Sequence, residues 1–99
     1  IDDAFLADVR RKGEAFAERL HAVDGVAEVR GRGLMLAAVL ERDVAKETVA
    51  AALDKGLIIN APTPGVVRFT PPLVITDDEL EAASTRFGEA LMQVINGNA

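Results

Sequence analysis

The sequence predicts an α+β fold: a small, mainly antiparallel sheet of about four strands with the helices packed on one face. Three observations lead there. Helical periodicity occupies both ends of the chain and one stretch of its middle. Short runs rich in valine, isoleucine and leucine fill the rest. Gly- and Pro-containing turns separate those runs closely enough to make hairpins.

Phe5, Val9, Phe16 and Leu20 recur at helical spacing with charges between them, so Asp3 to about Ala22 is one amphipathic helix, closed by Asp24-Gly25. Val26 to Arg30 is a short strand, and Gly31-Arg32-Gly33 turns the chain. Leu34 to Leu40 is apolar almost throughout and is expected as a central strand covered on both faces. Asp43 is expected to cap a helix from Val44 to Lys55 that Gly56 ends. Leu57 to Asn60 reads as a third strand. Thr63-Pro64-Gly65-Val66 suits a type II turn, with proline second and glycine third, and Val66 to Thr70 returns as the fourth strand. Thr76-x-x-Glu79 is a capping box. It opens a last helix whose Leu80, Ala83, Phe87, Leu91 and Val94 share one face. The open face of the sheet is expected to meet a larger domain.

Ninety-nine residues fit a single domain spanning 1–99. There is no long apolar run for a membrane span and no signal-peptide pattern. Ile1 is not a start methionine and a helix opens almost at once, so the chain is expected to be part of a longer one. With no cysteine, disulfides, thiolate metal sites and cysteine nucleophiles are excluded, which fits a reducing cytoplasm. The net charge of −5, and the lack of tyrosine and tryptophan to stack on bases, argue against nucleic acid.

The most informative stretch is Val66-Val67-Arg68-Phe69-Thr70-Pro71-Pro72-Leu73, a strand with one cation in its middle, stopped by two prolines that cannot donate to a ladder. An arginine there must reach solvent or find an anion. Its planar fork matches a carboxylate bidentately. On residue type alone, Arg68 could equally be an edge-strand side chain reaching into water over its own apolar stem.

Gly56-Leu57-Ile58-Ile59-Asn60, then Val67-Arg68-Phe69-Thr70-Pro71-Pro72-Leu73, then Ile75-Thr76-Asp77-Asp78-Glu79-Leu80 resembles the end of a class III pyridoxal-phosphate aminotransferase. Val29-Arg30-Gly31-Arg32-Gly33-Leu34-Met35-Leu36 resembles an upstream segment of the same family. The resemblance runs from about Phe5 to about Ile95 and covers only the last quarter or so of such an enzyme. It implies a C-terminal small domain of a fold type I aminotransferase. The implied parent is a cytoplasmic homodimer that moves an amino group between N-acetylornithine and 2-oxoglutarate, giving glutamate, in arginine biosynthesis. An ornithine or 4-aminobutyrate enzyme is the neighbouring alternative within the family. In such enzymes the arginine matching Arg68 holds the substrate α-carboxylate. The catalytic lysine, cofactor-phosphate site and aspartate would lie upstream of this chain. The fragment is therefore expected to bind no pyridoxal phosphate, to hold no metal and to be inactive alone.

Other polar residues have structural explanations. Gly31-Arg32-Gly33 lacks the third glycine of a dinucleotide cradle, and a strand follows it rather than a helix. Asp77, Asp78 and Glu79 could pair as acid and base, but they sit in a first helical turn, where negative charge offsets the dipole. Asp2 and Asp3 do the same. His21 lies near a helix C-terminus without a nucleophile or ligand partner nearby. Met35 and Met92 read as core fillers. Lys12, Lys46 and Lys55 lie in charged faces or at helix ends, with nothing to lower their pKa. The competing reading is a free-standing α+β module that binds a protein partner.

Overall fold

The computed structural model describes residues 2–97. In chain order it contains α1 (Asp3–His21), β1 (Val26–Arg32), β2 (Met35–Leu40), α2 (Ala45–Asp54), β3 (Asn60–Thr63), β4 (Val66–Phe69) and α3 (Asp77–Ile95). The strands form one antiparallel sheet in the order β1-β2-β4-β3. This is the expected α+β architecture.

Alternation along the strands separates the two faces of the sheet. Leu36, Ala38 and Leu40 on β2, with Val67 and Phe69 on β4, are buried. Phe69 stacks edge-on against Phe16 of α1, centroids 5.5 Å apart, and against Phe87 of α3 at 5.0 Å. Packing of α1 against β1 and β2, and of α2 against β3 and β4, completes the helical layer. The opposite face is not covered. Met35 is 66% exposed, and Ala37 and Val39 are only partly buried. Among the described residues the helices cover one face only, as expected, and the other is the face expected to meet a larger domain.

The ends of α1 and α3 behave as their residues dictate. Asp2 Oδ1 accepts the Phe5 amide at 2.7 Å. Thr76 Oγ1 accepts the Glu79 amide at 3.1 Å, and Glu79 Oε1 accepts the Thr76 amide at 2.9 Å, closing the capping box.

Four local expectations are corrected. The β1–β2 turn is Gly33-Leu34, not Gly31-Arg32-Gly33, since Arg32 already pairs with Met35. Gly33 takes the positive φ of +55° that a two-residue hairpin wants at its first position, and Leu34 drops into the core, 1% exposed. Asp43 does not cap α2. The N-cap is Val44, without a side-chain bond, and the Pro64 carbonyl accepts the Ala45 amide at 2.9 Å instead. The Thr63–Val66 turn is not type II, because Gly65 is not among the described residues with positive φ.

The last correction concerns β3, which begins at Asn60 rather than Leu57. The Leu57 amide is used in a Schellman cap, donating to Ala52 O at 2.9 Å while Gly56 donates to Leu53 O at 3.0 Å. Pro62 then sits in β3, an edge strand, where a missing N–H is tolerated.

Candidate functional site

Arg68 lies on β4, between β2 and β3, so it is not on an edge strand. Its neighbours Val67 and Phe69 point into the core, 0% and 3% exposed. Period-2 alternation therefore sends Arg68 to the open face. It stands opposite Ala37 of β2 on one side and Asn60 of β3 on the other. Ala37 in turn faces Arg30 of β1. Arg30, Ala37, Arg68 and Asn60 thus make one row across all four strands. The small alanine leaves open the space between the two arginines, whose backbones are two strand spacings, roughly 10 Å, apart.

The two arginines are electrically unlike. Arg30 Nε donates to Glu28 Oε2 at 2.7 Å and Arg30 Nη2 to Glu28 Oε1 at 3.3 Å. That hydrogen-bonded pair holds the Glu28 carboxyl below the usual carboxylate range and raises Arg30. Arg68 Nε donates at 3.2 Å to the neutral Oδ1 of Asn60. No carboxylate pairs with Arg68 among the described residues. Its charge is balanced by no neighbour, on a face open to an anion.

The remaining polar candidates are absorbed by the fold. Asp77 pairs with Arg11 at 3.2 Å, tying α3 to α1, and Glu79 closes its capping box. Arg11 also bonds Asp8 at 2.8 Å, and that bond, with one from Lys12, lowers the Asp8 carboxyl. His21 is exposed at the last residue of α1. Met35 and Met92 are not core fillers: Met35 is 66% exposed on the open face and Met92 is 37% exposed.

An apolar cleft of about 370 Å³ lies beyond the end of β4, walled by Phe16, Leu57, Ile59, Phe69, Pro71 and Leu80. It has no titratable side chain and does not include Arg68. Sequence reasoning did not find it. The signal for it was the run Leu57-Ile58-Ile59, read instead as a strand.

A pyridoxal-phosphate site needs a Schiff-base lysine, a phosphate cradle and an acid facing the pyridine nitrogen. The described residues do not fit. Lys12 is paired to Asp8 at 3.1 Å. Lys46 borders an open groove beside Asp43 and Glu47, whose charge would repel a phosphate. Lys55 is the C-cap of α2.

Residues 1–91 match the family model for aminotransferase class III. An acetylornithine aminotransferase of Corynebacterium efficiens is 55% identical over 95% of this chain. An ornithine aminotransferase of Bordetella pertussis is 32% identical over 99% of it.

The chain belongs to the class III aminotransferase family.

Among solved structures, an N-acetylornithine aminotransferase from Stenotrophomonas maltophilia superposes with a TM-score of 0.86 at 33% identity over 97% of the chain. An ornithine aminotransferase from Toxoplasma gondii gives 0.81 at 30% identity. The class III fold of this chain is therefore that of its relatives. The chain spans about a quarter of their length, 23% of the Corynebacterium protein and 28% of the Stenotrophomonas one.

Proposed function

We propose that this chain is the C-terminal small domain of an acetylornithine aminotransferase. The parent enzyme transfers an amino group between N-acetylornithine and 2-oxoglutarate, with pyridoxal phosphate as the group that carries it, in arginine biosynthesis. It acts in the cytoplasm as a homodimer. The cofactor and its lysine are held outside this chain, and the open sheet face lies against that larger part. The chain contributes Arg68, which binds the α-carboxylate of each substrate. Fixing one end of the substrate in this way lowers the barrier by setting geometry in advance.

The observation that carries this reading is the electrostatic state of Arg68. It is an exposed guanidinium on an interior strand, bonded only to a neutral amide. The acetylornithine substrate is supported by the relative at 55% identity, an acetylornithine aminotransferase.

The test is Arg68→Ala in the full-length enzyme. Losing a charge-assisted bidentate pair should cost ~2–4 kcal/mol in kcat/KM for both substrates, since both carry an α-carboxylate. Arg68→Lys should recover only part, because a point charge cannot reproduce the fork. In the 99-residue chain the alanine variant should shift stability by less than ~1 kcal/mol, as for an exposed position outside the core. Unchanged kinetics in the enzyme would refute the assignment.

A further inference from the structure

We propose that Asn60 is a positioning residue for Arg68: it fixes the guanidinium by its Nε and leaves the Nη1/Nη2 edge free for a substrate carboxylate. The inference rests on the carboxylate-binding reading of Arg68 and adds a residue to it. The first support is the hydrogen bond itself. Asn60 Oδ1 accepts from Arg68 Nε at 3.2 Å. A guanidinium can meet a carboxylate end-on through its two Nη groups or side-on through Nε and Nη2. With Nε taken, the end-on edge remains, and a long flexible side chain is held in one orientation.

The second support is a β-bulge. Thr63 pairs with Val66 but Asn60 pairs with Arg68, so the register slips between them. Continuing the Thr63–Val66 register would set Ala61 opposite Arg68 and Asn60 opposite Phe69, turned towards the core. A slip of one residue moves a side chain to the other face of a sheet. The irregularity at Ala61-Pro62 is therefore what brings Asn60 to the Arg68 side, and re-aiming a side chain is a common use of a bulge.

The third support is an internal contrast. Arg30, on the same row, has its Nε bound by a glutamate at 2.7 Å and its charge neutralised. Arg68 has its Nε bound by the shorter, uncharged amide of Asn60. An acid at position 60 would hold Arg68 equally well and would compete with any carboxylate ligand. Asparagine orients the cation and keeps it attractive.

Two variants in the full-length enzyme test this, with the melting temperature of the 99-residue chain as a control. Asn60→Ala should raise KM for both N-acetylornithine and 2-oxoglutarate roughly three- to tenfold, with a smaller change in kcat. It should raise the inhibition constant of glutarate, a non-reacting dicarboxylate, by a similar factor. Asn60→Asp should be more damaging, approaching Arg68→Ala, while the melting temperature stays level or rises. If Asn60→Asp keeps the parental KM and glutarate inhibition while Arg68→Ala is severely impaired, Asn60 has no positioning role and the clamp stands. If Arg68→Ala is itself unimpaired, the clamp reading fails and this one with it. Variants at Asn60 that lower only the melting temperature would make the residue a structural contact and overturn the proposal.

Discussion

Gly13 and Gly88 both lie inside unbroken helices, yet their surroundings assign them opposite roles. Gly13 of α1 lies against the β1–β2 turn so closely that a Cβ would stand 2.2 Å from the Gly33 carbonyl oxygen. That oxygen is backbone and cannot swing away. A Cβ on Gly88 of α3 would meet only Val23 methyl groups, at 3.7 Å, an ordinary contact. Alanine gains up to about 1 kcal/mol over glycine in a helix interior. At position 13, overpacking costing roughly 1–3 kcal/mol or more outweighs that gain. Gly88→Ala should therefore raise the stability of the chain by about 0.4–1 kcal/mol, and Gly13→Ala should lower it. Denaturant melts of the two variants check the pair, and a stabilising Gly13→Ala would contradict the packing of α1 on the hairpin. The outward placement of Arg68 on its strand was legible at this scale, because one cation amid β-formers has few places to go. The bond of Arg68 to Asn60 was not, because that contact depends on a one-residue slip in the register, which no local pattern announces.

Among the elements, α3 depends most visibly on its first turn. The amide and hydroxyl of Thr76 hydrogen-bond the Glu79 carboxylate and hold that group below the usual carboxylate range. A carboxyl depressed in the folded state contributes stability that is fully present above its unfolded value. That contribution is lost as the pH falls through the folded value. Asp8 and Glu28 are depressed in the same direction by Arg11 and Arg30. Stability should thus decline on acidification from about pH 4.5 downward. Glu79→Gln keeps an acceptor for the capping box but removes one titration, so its acid-side decline should be shallower. Thermal melts between pH 3 and 7 measure this, and identical slopes would remove Glu79 from the account. Thr76→Ala should cost about 1 kcal/mol at neutral pH. The helices α1 and α3 were readable because periodicity and caps agree along nineteen residues in each. The middle of the chain was harder. Leu57-Ile58-Ile59 has strand composition, but the cap of α2 takes the Leu57 amide before a ladder can form. Asp43 has cap chemistry, but a carbonyl from a distant turn reaches the first amide of the helix instead.

Considered as a whole molecule, the chain is acidic, with a net charge of −5, yet one side of its sheet carries Arg30, Arg32 and Arg68 against Glu28 alone. Met35 stands beside them, 66% exposed on that face, and Ile58 at 86% and Val74 at 77% are exposed outside the strands. Contiguous apolar patches beyond a few hundred Å² tend to mark interfaces. The 99-residue chain should therefore bind a hydrophobic dye and self-associate as its concentration rises, and Met35→Ser with Ile58→Ser should reduce both. Sedimentation showing a strictly monomeric species without dye binding would count against an interface there. The strand order has a further consequence, for the order of events in folding. β1 with β2, and β3 with β4, are hairpins whose partners are a few residues apart. Only the β2–β4 seam joins chain segments far apart in sequence. The entropy of closing that long loop must be spent before the seam returns any energy. The two hairpins should form first and dock second, with the docking setting the rate. Thr63→Ala, in a hairpin already formed at the docking barrier, should then slow refolding with little effect on unfolding, whereas Val67→Ala, at the seam itself, should slow refolding only in part and also speed unfolding. Stopped-flow refolding of the two variants reads this order directly. Arg68 and Asn60 meet inside one of the early hairpins, so their hydrogen bond can form before the sheet is whole, and only Ala37 and Arg30 wait for the last and slowest pairing to join the row.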